Sequence, residues 1–190
     1  METWFGWTHH RGRGPDESLL GEHPEGARVA DLGCGRGLQA AHLAAAHRWR
    51  VTGVDESTAA VTQARTRWHR IPGLEFVQAE VVDYLTGDGP PVDAVYSRFG
   101  AAWFVDPQTL LPAVAARLRP GGRLVISHVA PGFREFEIPR WDLPPDAWRE
   151  LLEGTGFGGV STESVPCPSD CHYAPCPGIL IVCAQRSSPS

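Results

Sequence analysis

Glycines at three alternate positions, Gly33, Gly35 and Gly37, separate the apolar run Arg28–Leu32 from the Ala- and Leu-rich stretch Leu38–His47. Such a loop admits positive φ and lets backbone come close to a ligand, because no Cβ intervenes. An apolar strand, a glycine turn and a helix with strong propensity form the opening unit of an open α/β sheet. The alternation continues. Strands are expected at Val51–Val54, Leu74–Gln78, Val92–Tyr96 and Arg123–Ser127. Ser57 caps a helix reaching about Trp68, and a short helical piece covers Val82–Leu85. Asp106 and Pro107 start a helix whose Leu110, Leu111, Val114 and Leu118 share one face, and Pro120-Gly121-Gly122 is expected to stop it. Pro144 and Pro145 open a helix bearing Trp148, Leu151 and Leu152, ended by Gly156. Two strands near Phe157–Glu163 and Ile179–Ala184, joined without a helix, predict an antiparallel edge.

Composition narrows the chemistry. The 190 residues predict one domain with a substantial core. The 17 basic residues are all Arg; the missing lysine excludes Schiff-base chemistry and a Walker phosphate loop. A net charge of −5 argues against nucleic acid as a partner. No apolar run approaches a membrane span, no signal-peptide layout is present, and five Cys do not make a secreted scaffold. A cytoplasmic location is the expectation. Residues 1–27 read as an aromatic cap segment, 28–184 as the ligand-binding domain and 185–190 as a disordered tail.

Asp55 ends the second strand, where a carboxylate can accept both hydroxyls of a ribose. A dinucleotide fold shares that feature, but its Gly-x-Gly-x-x-Gly fingerprint would need glycine at Leu38. Asp31, just before the loop, repels a pyrophosphate and suits a cationic ligand. On these residues the chain resembles a class I S-adenosylmethionine-dependent methyltransferase. The resemblance covers about residues 27–184 and rests on ordered motifs: Asp31–Gly37, Val54–Ser57, Phe76–Glu80, Val92–Ser97 and Arg117–Ile126. It implies a Rossmann-like, doubly wound, seven-stranded, mostly parallel α/β sheet of order 3-2-1-4-5-7-6, with strand 7 antiparallel and helices on both faces.

It also implies residue roles. Gly33, Gly35 and Gly37 pass under the cofactor, and Asp31 sits near its ammonium group. Asp55 binds the ribose, while Glu80 and the amide of Val81 read the adenine. Ser97 and Arg98 line the methionyl end. Glu56 stands where the family usually places an apolar residue over the adenine, and Glu80 is one methylene longer than the usual Asp, with Asp83 as a fallback.

Methyl transfer to a weakly acidic acceptor needs a base, and His128, after the fifth strand, is the candidate. Trp4, Trp7, His9, His10, Phe99, Trp103 and Phe104 are the candidate substrate contacts. Cys167, Cys171, His172 and Cys176 carry zinc-type donors, but Cys-x3-Cys-His-x3-Cys is no standard finger or ribbon, so no metal is expected. The expected activity is methylation of a small-molecule acceptor at O, N or C, in specialised metabolism. The alternatives are a non-methylating protein that binds the same cofactor, such as a cyclase or binding subunit, and an NAD(P)-dependent oxidoreductase.

Overall fold

The structure is a computed structural model, and it describes residues 2–131, 140–169, 171 and 178–188. Among these, seven strands form one sheet: β1 Arg28–Leu32, β2 Arg50–Asp55, β3 Leu74–Gln78, β4 Val92–Arg98, β5 Leu118–Val129, β6 Phe157–Val165 and β7 Ile179–Arg186. Their order is β3-β2-β1-β4-β5-β7-β6. β7 runs antiparallel to both neighbours, and the other pairings are parallel. The helices are α1 Leu38–His47, α2 Thr58–Trp68, α3 Val81–Thr86, α4 Ala101–Phe104, α5 Pro107–Arg117 and α6 Pro145–Gly154. None is long and apolar enough to cross a membrane.

Local chemistry sets several boundaries. The Ser57 hydroxyl accepts the Ala60 amide at the start of α2, and Asp106 accepts the Gln108 amide at the start of α5. Alternate residues of β4 serve opposite faces, as strand geometry requires. Ala94 and Tyr96 join a core containing Trp7, Leu20, Leu43 and Trp49. Val95 joins Leu110, Leu111, Val114, Trp148 and Leu152 on the other side. Both faces are therefore covered.

Two boundaries differ from expectation. Leu118 already pairs with Val92, and the register then jumps to Ala94 opposite Arg123. Arg119–Gly122 thus bulges within β5, with Gly121 at φ 78°, rather than serving as a simple stop after α5. β7 continues through Arg186, and the Ser187 amide donates to the Gly156 carbonyl, so chain order extends past 185. The amino-terminal segment packs on the sheet face. Trp7 is fully buried, meets Tyr96 edge-on at 5.9 Å and donates its indole N–H to the Asp16 carbonyl at 2.7 Å.

Candidate active site

The first three strands and β4 all deliver their carboxyl ends to one place. β1 and β4 are neighbours whose connections leave in opposite directions, and a crevice opens there in doubly wound sheets. A cavity of about 500 Å3 occupies it, lined by Gly33, Gly35, Asp55, Glu56, Ala79, Glu80, Val81, Val82 and residues 99–101, 104 and 105. That volume is in the range of small-ligand sites.

The floor is the glycine loop. The amides of Gly33 and Cys34 both donate to the Val54 carbonyl, at 2.8 and 3.0 Å. Asp55 locks the loop from the other side: Oδ2 accepts the Gly35 amide at 2.8 Å and Oδ1 accepts the Ser57 amide at 2.9 Å. The three glycines are required for different reasons. A Cβ on Gly33 would lie 2.4 Å from the Ala101 amide nitrogen, and one on Gly37 would lie 2.3 Å from the Phe76 ring. Those two satisfy packing. Gly35, at φ 52°, has open space where a Cβ would point, and it lines the cavity.

Asp55, Glu56 and Glu80 are the ionisable groups among the described lining residues. Three carboxylates without a cation disfavour a pyrophosphate and favour a cationic ligand. As the residue opening α3, Val81 offers an amide with no partner inside the helix. Open backbone at Gly35, acceptor carboxylates and a free amide match the needs of a sulfonium-bearing nucleoside.

Asp31 lies beneath the loop. It is 3% exposed and accepts the Tyr96 hydroxyl at 2.8 Å. Burial pushes its carboxyl up to about 7, against the Tyr96 hydrogen bond and the nearby Arg98 charge, which pull it down.

The opposite wall comes from the turn after β4. Phe99 holds φ 49°, an uncommon conformation for an aromatic residue, and its amide donates to Ser127 at 2.8 Å. Gly100 makes the close approach to β1 possible, since a Cβ there would sit 2.4 Å from the Leu32 carbonyl. His9 stacks on Phe99 at 4.1 Å between ring centroids, so the amino-terminal segment reaches the outer face of this wall.

Several expected contacts fall elsewhere. His128 is fully buried; its Nε2 accepts the Trp148 indole N–H at 2.8 Å and its Nδ1 donates to the Val129 carbonyl at 2.7 Å. With both nitrogens engaged and burial pushing its pKa down, this ring braces α6 and does not face the cavity. Ser97 is also buried, donating to Leu32 and accepting the Ala102 amide, which clasps the β4 turn to β1. Arg98 turns away to the Thr8 carbonyl and lies against the rings of Trp4 and Phe99. Trp7 is core, and Trp103 points inward with its indole N–H on Asp142. His10 lies beside Cys167 and Cys171. His172 and Cys176 are outside the described residues. Sequence reasoning missed Ala79, Val82, Ala101 and Val105 as lining, since small apolar residues carry no chemical signal.

Comparison with known proteins agrees with this geometry. Residues 29–122 match the family described as a methyltransferase domain. A trans-aconitate 2-methyltransferase from Azoarcus is 38% identical over 136 residues, 68% of this chain and 49% of that protein. A fatty-acid O-methyltransferase from Mycolicibacterium smegmatis is 35% identical over 119 residues, 62% of this chain and 42% of that protein. Among solved structures, a Haemonchus contortus phosphoethanolamine N-methyltransferase 2 in complex with S-adenosyl-L-methionine superposes with a TM-score of 0.73 at 18% identity. It covers 90% of this chain and 51% of that one. Residues 29–122 belong to that methyltransferase family, and the fold is that of the solved S-adenosylmethionine-binding methyltransferases. The chain spans about half the length of the curated relatives it matches.

Proposed function

We propose that this chain transfers a methyl group from S-adenosylmethionine to a carboxylate oxygen of a small organic acid. The observation that carries the reading is the cavity floor, where Asp55 is bonded into the glycine loop beside an open Gly35. S-adenosylmethionine supplies a methyl group on a positively charged sulfur, so its departure leaves a neutral thioether. The protein's part is then alignment and exclusion of water. Each Asp55 oxygen accepts one backbone amide and keeps a lone pair for a ribose hydroxyl. Glu80 and the Val81 amide take the adenine edge, and the rings of Phe99 and Phe104 close the outer wall.

The acceptor class is read from a lining that offers no base and from the relatives. No imidazole, thiol or phenol lines the cavity among the described residues, and a carboxylate is ionised at neutral pH without a base. The trans-aconitate and fatty-acid methyltransferases among the relatives support an acid acceptor.

The test is S-adenosylhomocysteine formation across a panel of di- and tricarboxylic acids, fatty acids and amines. Turnover with acids is expected. Turnover of amines alone would overturn the assignment.

A further inference from the structure

A second cluster of reactive side chains lies apart from the cavity, where the amino-terminal segment crosses the β6–β7 connection. His10, Cys167 and Cys171 bring one donor atom each to within 4.8 Å of one another. Separate elements place them. The buried Thr8 hydroxyl accepts the His10 amide at 3.2 Å and shares its one proton between the His10 and Arg13 carbonyls, fixing the turn that presents the imidazole. On the other side, the Cys171 amide donates to the Pro168 carbonyl at 3.0 Å, a turn that folds Cys171 back toward Cys167. The His10 Nε2 atom is shielded from solvent and has no hydrogen-bond partner. A buried ring nitrogen in that condition calls for an acceptor or an ion. Cys167 is disulfide-bonded.

We infer that, once this disulfide is reduced, His10, Cys167 and Cys171 hold one zinc ion, with water in the fourth position. Imidazole and thiolate are the donors zinc prefers, at about 2.0–2.1 Å for nitrogen and 2.3 Å for sulfur. A tetrahedron with those bonds needs donors roughly 3.4–3.8 Å apart, so the three converge by about an ångström. A dithiol reductant delivers two electrons and two protons to the disulfide and becomes a cyclic disulfide itself. Cys167 and its former partner leave as thiols. Zinc then displaces the protons of Cys167 and Cys171, releasing two to solvent, and His10 binds neutral through Nε2.

The consequence for the fold is a tie between the amino-terminal segment and the β6–β7 edge. His9, one residue from the ligand His10, stacks on the Phe99 wall. The metal therefore holds that stack in place without entering the cavity. This inference does not depend on the acceptor assigned above.

The experiment titrates the full chain, reduced with excess dithiothreitol and desalted under anaerobic conditions, with Co2+ and then Zn2+. One Co2+ per chain is expected, with a sulfur-to-metal charge-transfer band and the intense visible bands of a tetrahedral ion, bleached by one equivalent of Zn2+. The unreduced chain should give no charge-transfer band. His10→Ala and Cys171→Ser should each weaken Zn2+ binding at least tenfold in competition with a chromophoric chelator. A wild-type spectrum without the sulfur band, equal binding by the unreduced chain, or full affinity in either variant would overturn the site. The wild-type spectrum decides if a variant does not fold.

Discussion

Replacing Asp31 by Asn should change the pH dependence of stability more than any other single substitution. The carboxyl titrates near 3.8 when exposed and at about 7 in the fold, chiefly because burial disfavours its charge. Below the unfolded value it is protonated in both states. As pH rises toward 7, the unfolded chain gives up a proton that the folded chain keeps, so stability falls until the folded carboxyl also ionises. At about 1.4 kcal/mol per pH unit, the full loss is roughly 4 kcal/mol, of which about 3 falls between pH 5 and pH 8. Asn does not titrate, and its Oδ1 can still accept the Tyr96 hydroxyl. Urea unfolding followed by tryptophan fluorescence at pH 5, 6, 7 and 8 measures the difference between the two proteins, in which every other titration cancels. The variant should gain on the wild type from pH 5 to about 7, level off above it, and lead at pH 8. Parallel curves, or a variant that falls further behind as pH rises, would refute the placement of a buried carboxyl under the loop.

Trp7→Ala should destabilise the chain by about 3–5 kcal/mol, read from the urea midpoint, because a fully buried indole leaves a large void. A loss below 1 kcal/mol would mean that the amino-terminal segment is a detachable flap. His128→Ala should cost roughly 1–3 kcal/mol for the orphaned Trp148 N–H alone, yet leave the turnover of the folded fraction and the donor affinity intact. In the wild type the depressed His128 pKa predicts lost stability as pH drops below about 6.5, where the unfolded imidazole takes a proton that the folded one refuses.

The order of strands and helices was legible because its signals are local. Ser57 and Asp106 cap within three residues of themselves. Asp55 and Gly35 were legible as a pair because loop and strand end belong to one βαβ unit. The fate of side chains that depend on distant partners was not. His128 looks like a pocket base until Trp148 arrives from α6, and Ser97 looks like a ligand contact until it closes on Leu32, 65 residues away in sequence. Trp4 and Trp7 differ by three positions, but one lies against Arg98 and the other is sealed in the core. No periodicity distinguishes them. The bulge at Arg119–Gly122 was hidden for a related reason, since Pro120-Gly121-Gly122 reads as a turn in isolation and only the pairing with β4 makes it part of a strand.

The central claim is that a cationic nucleoside donor rests on the open backbone at Gly35. Calorimetric titration with S-adenosylhomocysteine, on the wild type and on Gly35→Val, tests it most directly. The valine fills cavity space and also strains a left-handed residue by about 1–2 kcal/mol, so circular dichroism first establishes that the variant is folded. One molecule bound per wild-type chain and none by the folded variant is the predicted result. Equal binding by both proteins, or binding of NAD(P) in place of S-adenosylhomocysteine, would contradict it.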